Sequence, residues 1–286
     1  MSFTIDFAEG IKPSVRSDLS NGLHFSLHDK SKYILPKEAS EGENKRSIQN
    51  RPVETPILTI NQYLYGGHLW DFWLAHHPHY GKVVLKVINT FNHPCWDPNL
   101  DDYVPYKDII KEATREESFY LGPLKELQET VVPKYFGLYS SGKTDRYLAI
   151  LLEYGGQSIG AGYVELHKDW KKKIYEAYKQ IHLKGVCHFD LGGQHILVND
   201  HQEIRLVSFR RSNKLDVKKR QDVLRILEEV YALRLRYGGK SEKKLKYNTL
   251  SPDYWSQLPD PQAFKEHLDE CANRVVRLPP EVVAYN

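Results

Sequence analysis

Asp190 raises the first chemical question. It stands ahead of two apolar runs, 195–198 and 204–207, that flank a polar turn. A carboxylate ahead of such a hairpin suits a phosphoryl-transfer site, where a base and metal-holding groups act together. The second acidic residue of such a site, just after the second run, is missing, and Ser208 stands in its place. A hydroxyl is a poor substitute, because magnesium is a hard cation that prefers carboxylate oxygen. His195 offers an imidazole nitrogen, which suits zinc or another transition metal better.

The elements that must position these residues can be read from periodicity. Five stretches read as strands: 57–64, 71–77, 81–88, 131–140 and 146–156, the third of them buried. A helix is expected over 107–121, with an extension toward residue 127. After Gly156 the pattern turns helical. Over 169–185, Trp170, Ile174, Ala177, Tyr178 and Ile181 share one face, and Gly185 supplies the stop. Over 216–235 Val223, Leu224, Leu227, Val230 and Tyr231 point inward, with Asp216 as a cap. A further helix at 260–276 opens with Asp260 and Pro261. Residues 22–35 could give a short hairpin, and the polar stretch 37–52 reads as a linker. Three domains are expected: an extension and linker at 1–55, a mainly β part at 56–155 and a mainly helical part at 156–286.

The 286 residues are 41% hydrophobic and 27% charged, an ordinary globular composition with a core of some size. A net charge of +3 is too small to name a partner class. Cys95, Cys187 and Cys271 are odd in number and far apart, so reduced thiols are expected rather than a disulfide framework. No apolar run reaches the length of a membrane span, and the first residues lack the pattern of a secretory signal. An intracellular protein, in cytoplasm or nucleus, is the expectation.

The order of several motifs resembles the protein kinase superfamily, in particular a fungal group of small atypical kinase-like proteins. "VVLKVI" resembles the lysine motif of the third strand, "REESFYLGPLKELQETVVPKYFGLY" the segment from helix to strand, "LLEYGGQSI" the hinge and "GVCHFDLGGQHILVN" the catalytic loop. The resemblance covers roughly residues 57–240. It implies an α+β, two-lobed fold: an antiparallel five-stranded sheet plus one helix, then a compact, mainly helical lobe. It also implies that Lys86 contacts phosphate, paired with Glu117 or, one register away, Glu116. Gly67, Glu153 and Tyr154 would line the nucleotide, and Asp190 would be the catalytic base. A structural reading stays open beside each role: Lys86 and its glutamate as a buried pair, Asp190 as a loop cap, His188 as a core hydrogen-bonding residue.

The sequence departs from that pattern where the chemistry is most demanding. Two of the three glycine sites over the phosphates become Tyr65 and Trp70, and only Gly67 is kept. The two metal-holding positions become His195 and Ser208. The resemblance therefore implies a kinase-fold pseudoenzyme acting as a binding, scaffold or regulatory protein. The alternative is an atypical ATP-dependent phosphotransferase, for protein or small molecule, using Lys86, Glu117 and Asp190. The cofactor expectation is ATP at most, held with weak or absent magnesium. The partner expectation is another protein. An acidic partner could meet the cluster of Arg234, Arg236, Lys240, Lys243, Lys244 and Lys246, although a solvated face explains it as well. His76, His77 and His79 read as solvated turn histidines.

Overall fold

The computed structural model describes residues 2–13, 18–28, 55–93, 95–97, 101–141, 145–160, 168–216 and 219–237, together with 262 and 266. The chain forms two compact units, Met1–Glu117 with Lys134–Tyr154, and Ser118–Pro133 with Gly155–Asn286.

The first unit carries β1 (Ser2–Phe7), β2 (His24–Leu27), β3 (Ile57–Gly66), β4 (Asp71–His77), β5 (Gly81–Asn89), the two-residue strands β6 (Trp96–Asp97) and β7 (Asp102–Tyr103), most of helix α1 (Tyr106–Leu121), β8 (Tyr135–Ser141) and β9 (Tyr147–Glu153). Seven of the strands close into a barrel in the order β1-β2-β8-β9-β5-β4-β3. The seam is the pairing of β1 with β3, which is parallel, with Thr4 opposite Ile57 and Phe7 opposite Ile60. The alternation of each strand sends one set of side chains inside. Phe3, Ile5, Phe25, Leu58, Ile60, Trp73, Val83, Leu85, Val87, Tyr139 and Leu151 belong to one buried cluster. Phe3 stacks on Phe25 at 5.2 Å and meets the edge of Tyr139 at 4.8 Å. Burial, and then neighbouring Tyr80, push the Tyr139 phenol up to about 12. The barrel is filled by its own side chains, as small barrels are.

The second unit contains β10 (Gln157–Ser158), α2 (Lys168–Leu183), β11 (Val186–Cys187), β12 (Ile196–Val198), β13 (Ile204–Leu206), β14 (Asn213–Lys214) and α3 (Arg220–Tyr237). β12 and β13 form the hairpin expected around the polar turn, with Ile196 opposite Leu206, and β10 adds to its edge. Gly156 turns the chain into β10 with φ 112°, and a Cβ there would collide with the backbone of Val198. Ile174, Ala177, Tyr178 and Ile181 of α2 are buried, as are Ile226, Leu227, Val230 and Leu233 of α3.

The barrel overturns the two-lobed, kinase-like α+β fold expected from the sequence. Each of the five expected stretches contains a strand, but the open antiparallel sheet does not result. Residues assigned to an N-terminal extension supply β1 and β2, whose Phe3, Ile5 and Phe25 are buried, and these strands close the sheet. β2 (His24–Leu27) pairs with β1 and β8, while residues 29–35 of the expected hairpin lie outside the described residues. The described residues contain three α-helices. The kinase-fold pseudoenzyme and its alternative, the ATP-dependent phosphotransferase, both presuppose the two-lobed fold and fall with it. No described helix is long and apolar enough to cross a membrane. The linker at 37–52, most of 260–276 and the basic residues beyond 237 lie outside the described residues.

The seam predicts its own test. Removing the Phe3 ring opens a cavity where β1, β2 and β8 meet, and Phe3→Ala should cost about 3–5 kcal/mol. Urea denaturation followed by tryptophan fluorescence measures it. A loss under about 1 kcal/mol, the scale of a surface change, would mean that β1 does not close the barrel.

Candidate functional site

Two polar clusters include residues that the sequence brought forward, one in each unit. In the first, alternation along β5 puts Val83, Leu85 and Val87 inside the barrel and Lys86 on its outer face. Lys86 is nevertheless only 2% exposed. Its ammonium forms an ion pair with Glu116 of α1, the alternative register. The Trp70 ring lies 4.9 Å from the ammonium and Phe72 5.9 Å, so two aromatic faces complete the enclosure. Glu117 is buried as well.

The hairpin joining β3 to β4 holds those rings. The Gly67 amide donates to the Trp70 carbonyl at 2.7 Å, and a Cβ at Gly67 would press on Phe72 at 3.1 Å. Glycine at 67 is thus explained by packing inside its own hairpin. Tyr65 stacks on Phe72 at 4.4 Å, and burial, then the charge of Glu116, push its phenol up to about 12. Glu153 and Tyr154 are also engaged. The Glu153 carboxylate accepts the Lys134 amide at 2.9 Å, and the Lys82 ammonium lies 3.8 Å over the Tyr154 ring.

In the second unit Asp190 and His195 face each other, with His195 Nε2 3.0 Å from the Asp190 carboxylate. Burial would raise the Asp190 carboxyl. The His195 hydrogen bond, then the charges of His195 and Arg211, outweigh it and hold the group at about 2. His188 is buried, its Nε2–H donates to the Val207 carbonyl at 2.8 Å, and its Nδ1 accepts the Asp190 amide at 3.2 Å. That pairing describes a neutral ring, and burial lowers its pKa accordingly. Ser208 takes the left-handed conformation, φ 77°, at the start of the short helical turn Phe209–Arg211. Asp190, His188 and His195 are brought together, whereas Ser208 serves as a turn.

Two contributors escaped the sequence reading. Glu229 on α3 is buried and accepts the His188 amide on both oxygens, at 3.0 and 2.9 Å. Its signal was position: it lies three residues after Ile226, on the inward stripe. The other is the role of Trp70, which stands at a glycine site of the resemblance and packs over Lys86. Among the turn histidines, His77 is buried and stacks on Tyr80 at 4.3 Å, which corrects the solvated reading. Burial, then His79 and His76, lower its pKa.

With this geometry described, the relatives can be weighed. No family model matches the chain. It is similar to MAP kinase kinase MKK1/SSP32 of Saccharomyces cerevisiae, 30% identical over 137 residues, covering 44% of this chain and 24% of that protein. It is also similar to mitogen-activated protein kinase kinase kinase 3 of Homo sapiens, 24% identical over 224 residues, 71% of this chain and 33% of that one. The homology is weak and distant. The chain matches at most a third of these relatives' length, and the yeast match is partial. The closed barrel overturns the assignment to the fungal kinase-like group, along with its kinase, pseudokinase and ATP-binding descriptions.

Two predictions follow from the clusters. Lys86→Met removes the cation from beside Glu116 in a dry setting, which should cost about 3–5 kcal/mol, while the double change with Glu116→Leu should recover most of that loss. A denaturation double-mutant cycle reads this, and additive losses would show that the pair is not coupled. Asp190 is depressed in the folded protein, so its stabilisation is present above the unfolded carboxyl range and lost as pH falls through about 2. With solvent screening, Asp190→Asn should remove about 1 kcal/mol at neutral pH and flatten the acid limb of stability against pH. An unchanged acid limb would refute it.

Proposed function

We propose that the chain is a protein-recognition module that binds an extended peptide carrying proline and basic residues. The observation that carries this is the aromatic segment between β5 and α1. Phe91 is 64% exposed, Trp96 47% and Tyr103 54%. Trp96 meets Tyr103 edge-on at 5.4 Å, and Phe91 stacks on Tyr106 at 5.6 Å. Scattered exposed apolar residues need no explanation, but aromatic rings grouped on one segment mark an interaction surface.

The segment is pinned rather than loose. The Asn89 side chain accepts the amides of Phe91 and Asn92 at 3.2 and 3.1 Å. His93 Nε2 bonds the Val104 carbonyl at 3.2 Å, and the Val104 amide donates to Cys95 at 3.0 Å. The Cys95 thiol reaches the His68 carbonyl. Rings held in place lose little freedom on binding. Flat aromatic faces suit polyproline conformation, and the exposed carboxylates of Asp101 and Asp102 suit a basic residue beside the prolines. In this reading Lys86 is structural, since Glu116, Trp70 and Phe72 enclose it.

The experiment is selection from a displayed peptide library with the full chain, followed by titration of the enriched peptides. Proline-rich basic sequences should be enriched. Trp96→Ala and Phe91→Ala should each weaken binding at least tenfold, about 1.4 kcal/mol. No enrichment, or affinity unchanged in both variants, would overturn the reading.

A further inference from the structure

Three side chains that the clusters above leave unused as ligands meet in the core of the second unit. His182 ends the buried face of α2, Cys187 closes β11, and Glu229 lies on the inward stripe of α3. One ligand atom from each lies within 4.8 Å of the others, and all three residues are buried. His182 Nε2 is 3.5 Å from Glu229 Oε2. From these placements we infer that His182, Cys187 and Glu229 form a zinc-binding site that ties α2, β11 and α3 together.

The donor set decides the metal. Thiolate, imidazole and carboxylate oxygen are the three protein ligand types of zinc, and a thiolate disfavours magnesium and calcium. Bonds of about 2.0–2.3 Å from one ion place tetrahedral ligand atoms roughly 3.3–3.8 Å apart. The His182–Glu229 separation lies in that range already. The Cys187 sulfur lies within 4.8 Å of both atoms. Glu229 is held from behind, since the His188 amide donates to both carboxylate oxygens, the kind of outer contact that orients a metal ligand. Three protein ligands leave one tetrahedral position for water. Loading is a proton exchange: the ion takes the Cys187 sulfur as thiolate, and the thiol proton leaves to solvent. The inference does not depend on the peptide-binding reading, because none of its residues lies on the aromatic segment.

The test uses the full chain, stripped with a chelator and titrated with cobalt(II) and then zinc. Cobalt should give a thiolate-to-metal charge-transfer band and the intense visible bands of a four-coordinate ion. Zinc should abolish them at one equivalent. Zinc should also raise the midpoint of thermal unfolding, by an amount that grows with its free concentration. Cys187→Ser should lose the charge-transfer band, and His182→Asn should bind cobalt at least tenfold more weakly. Cys95→Ser should behave as wild type. The wild-type spectrum alone decides the matter if a variant fails to fold. No charge-transfer band in the stripped wild type, or a band that survives Cys187→Ser, would overturn the inference.

Discussion

Closure of the sheet is the constraint on which the first unit depends. A strand edge left open presents unpaired amides and carbonyls, and a seven-stranded sheet with free edges would invite pairing with other chains. The parallel contact of β1 with β3, and the antiparallel contact of β2 with β8, remove both edges together. They also complete the interior, because Phe3, Ile5 and Phe25 fill the side that the other five strands leave uncovered. Everything on the outer face, Lys86 included, is placed by a backbone whose register is locked from within.

Lys86 shows how that placement governs chemistry. Its strand is buried on both faces, so the charge must be neutralised locally or be lost. Glu116 supplies the carboxylate, and Trp70 and Phe72 supply electron-rich faces. A lysine so enclosed spends its charge on holding a helix and a hairpin against one sheet. The same economy appears in the second unit. There Glu229 fixes the His188 amide, His188 fixes the Asp190 amide, and Asp190 faces His195.

Much of the secondary structure was legible in the sequence. The alternation in "DFWLAHH" matches β4 residue for residue, and the apolar stripe of 169–185 gives α2 with its buried face. The architecture was not legible. β1 and β2 are six and four residues long, and about thirty residues separate β2 from β3, so nothing local says that they join a sheet whose other members begin at residue 57. Their pairing is a long-range decision made by packing. The ion pair was legible to within one residue, since a helix turns through only part of its circumference between Glu116 and Glu117. The roles of Trp70 and Glu229 required knowing what lay opposite, which a single sequence does not carry.

The barrel seam also sets a timetable. Phe25 pairs with Ser141, and Thr4 with Ile57, so β1 and β2 have partners made much later. Contacts between such distant parts of a chain form slowly, because a long loop must close before any pairing repays the cost. During synthesis β1 and β2 leave the ribosome early and wait, their apolar faces uncovered, until residue 141 has followed. A chain stopped short of β8 carries Phe3 and Phe25 but lacks Tyr139 and the strand against which β2 pairs. Such a fragment would burden the cell's chaperones more than its length suggests.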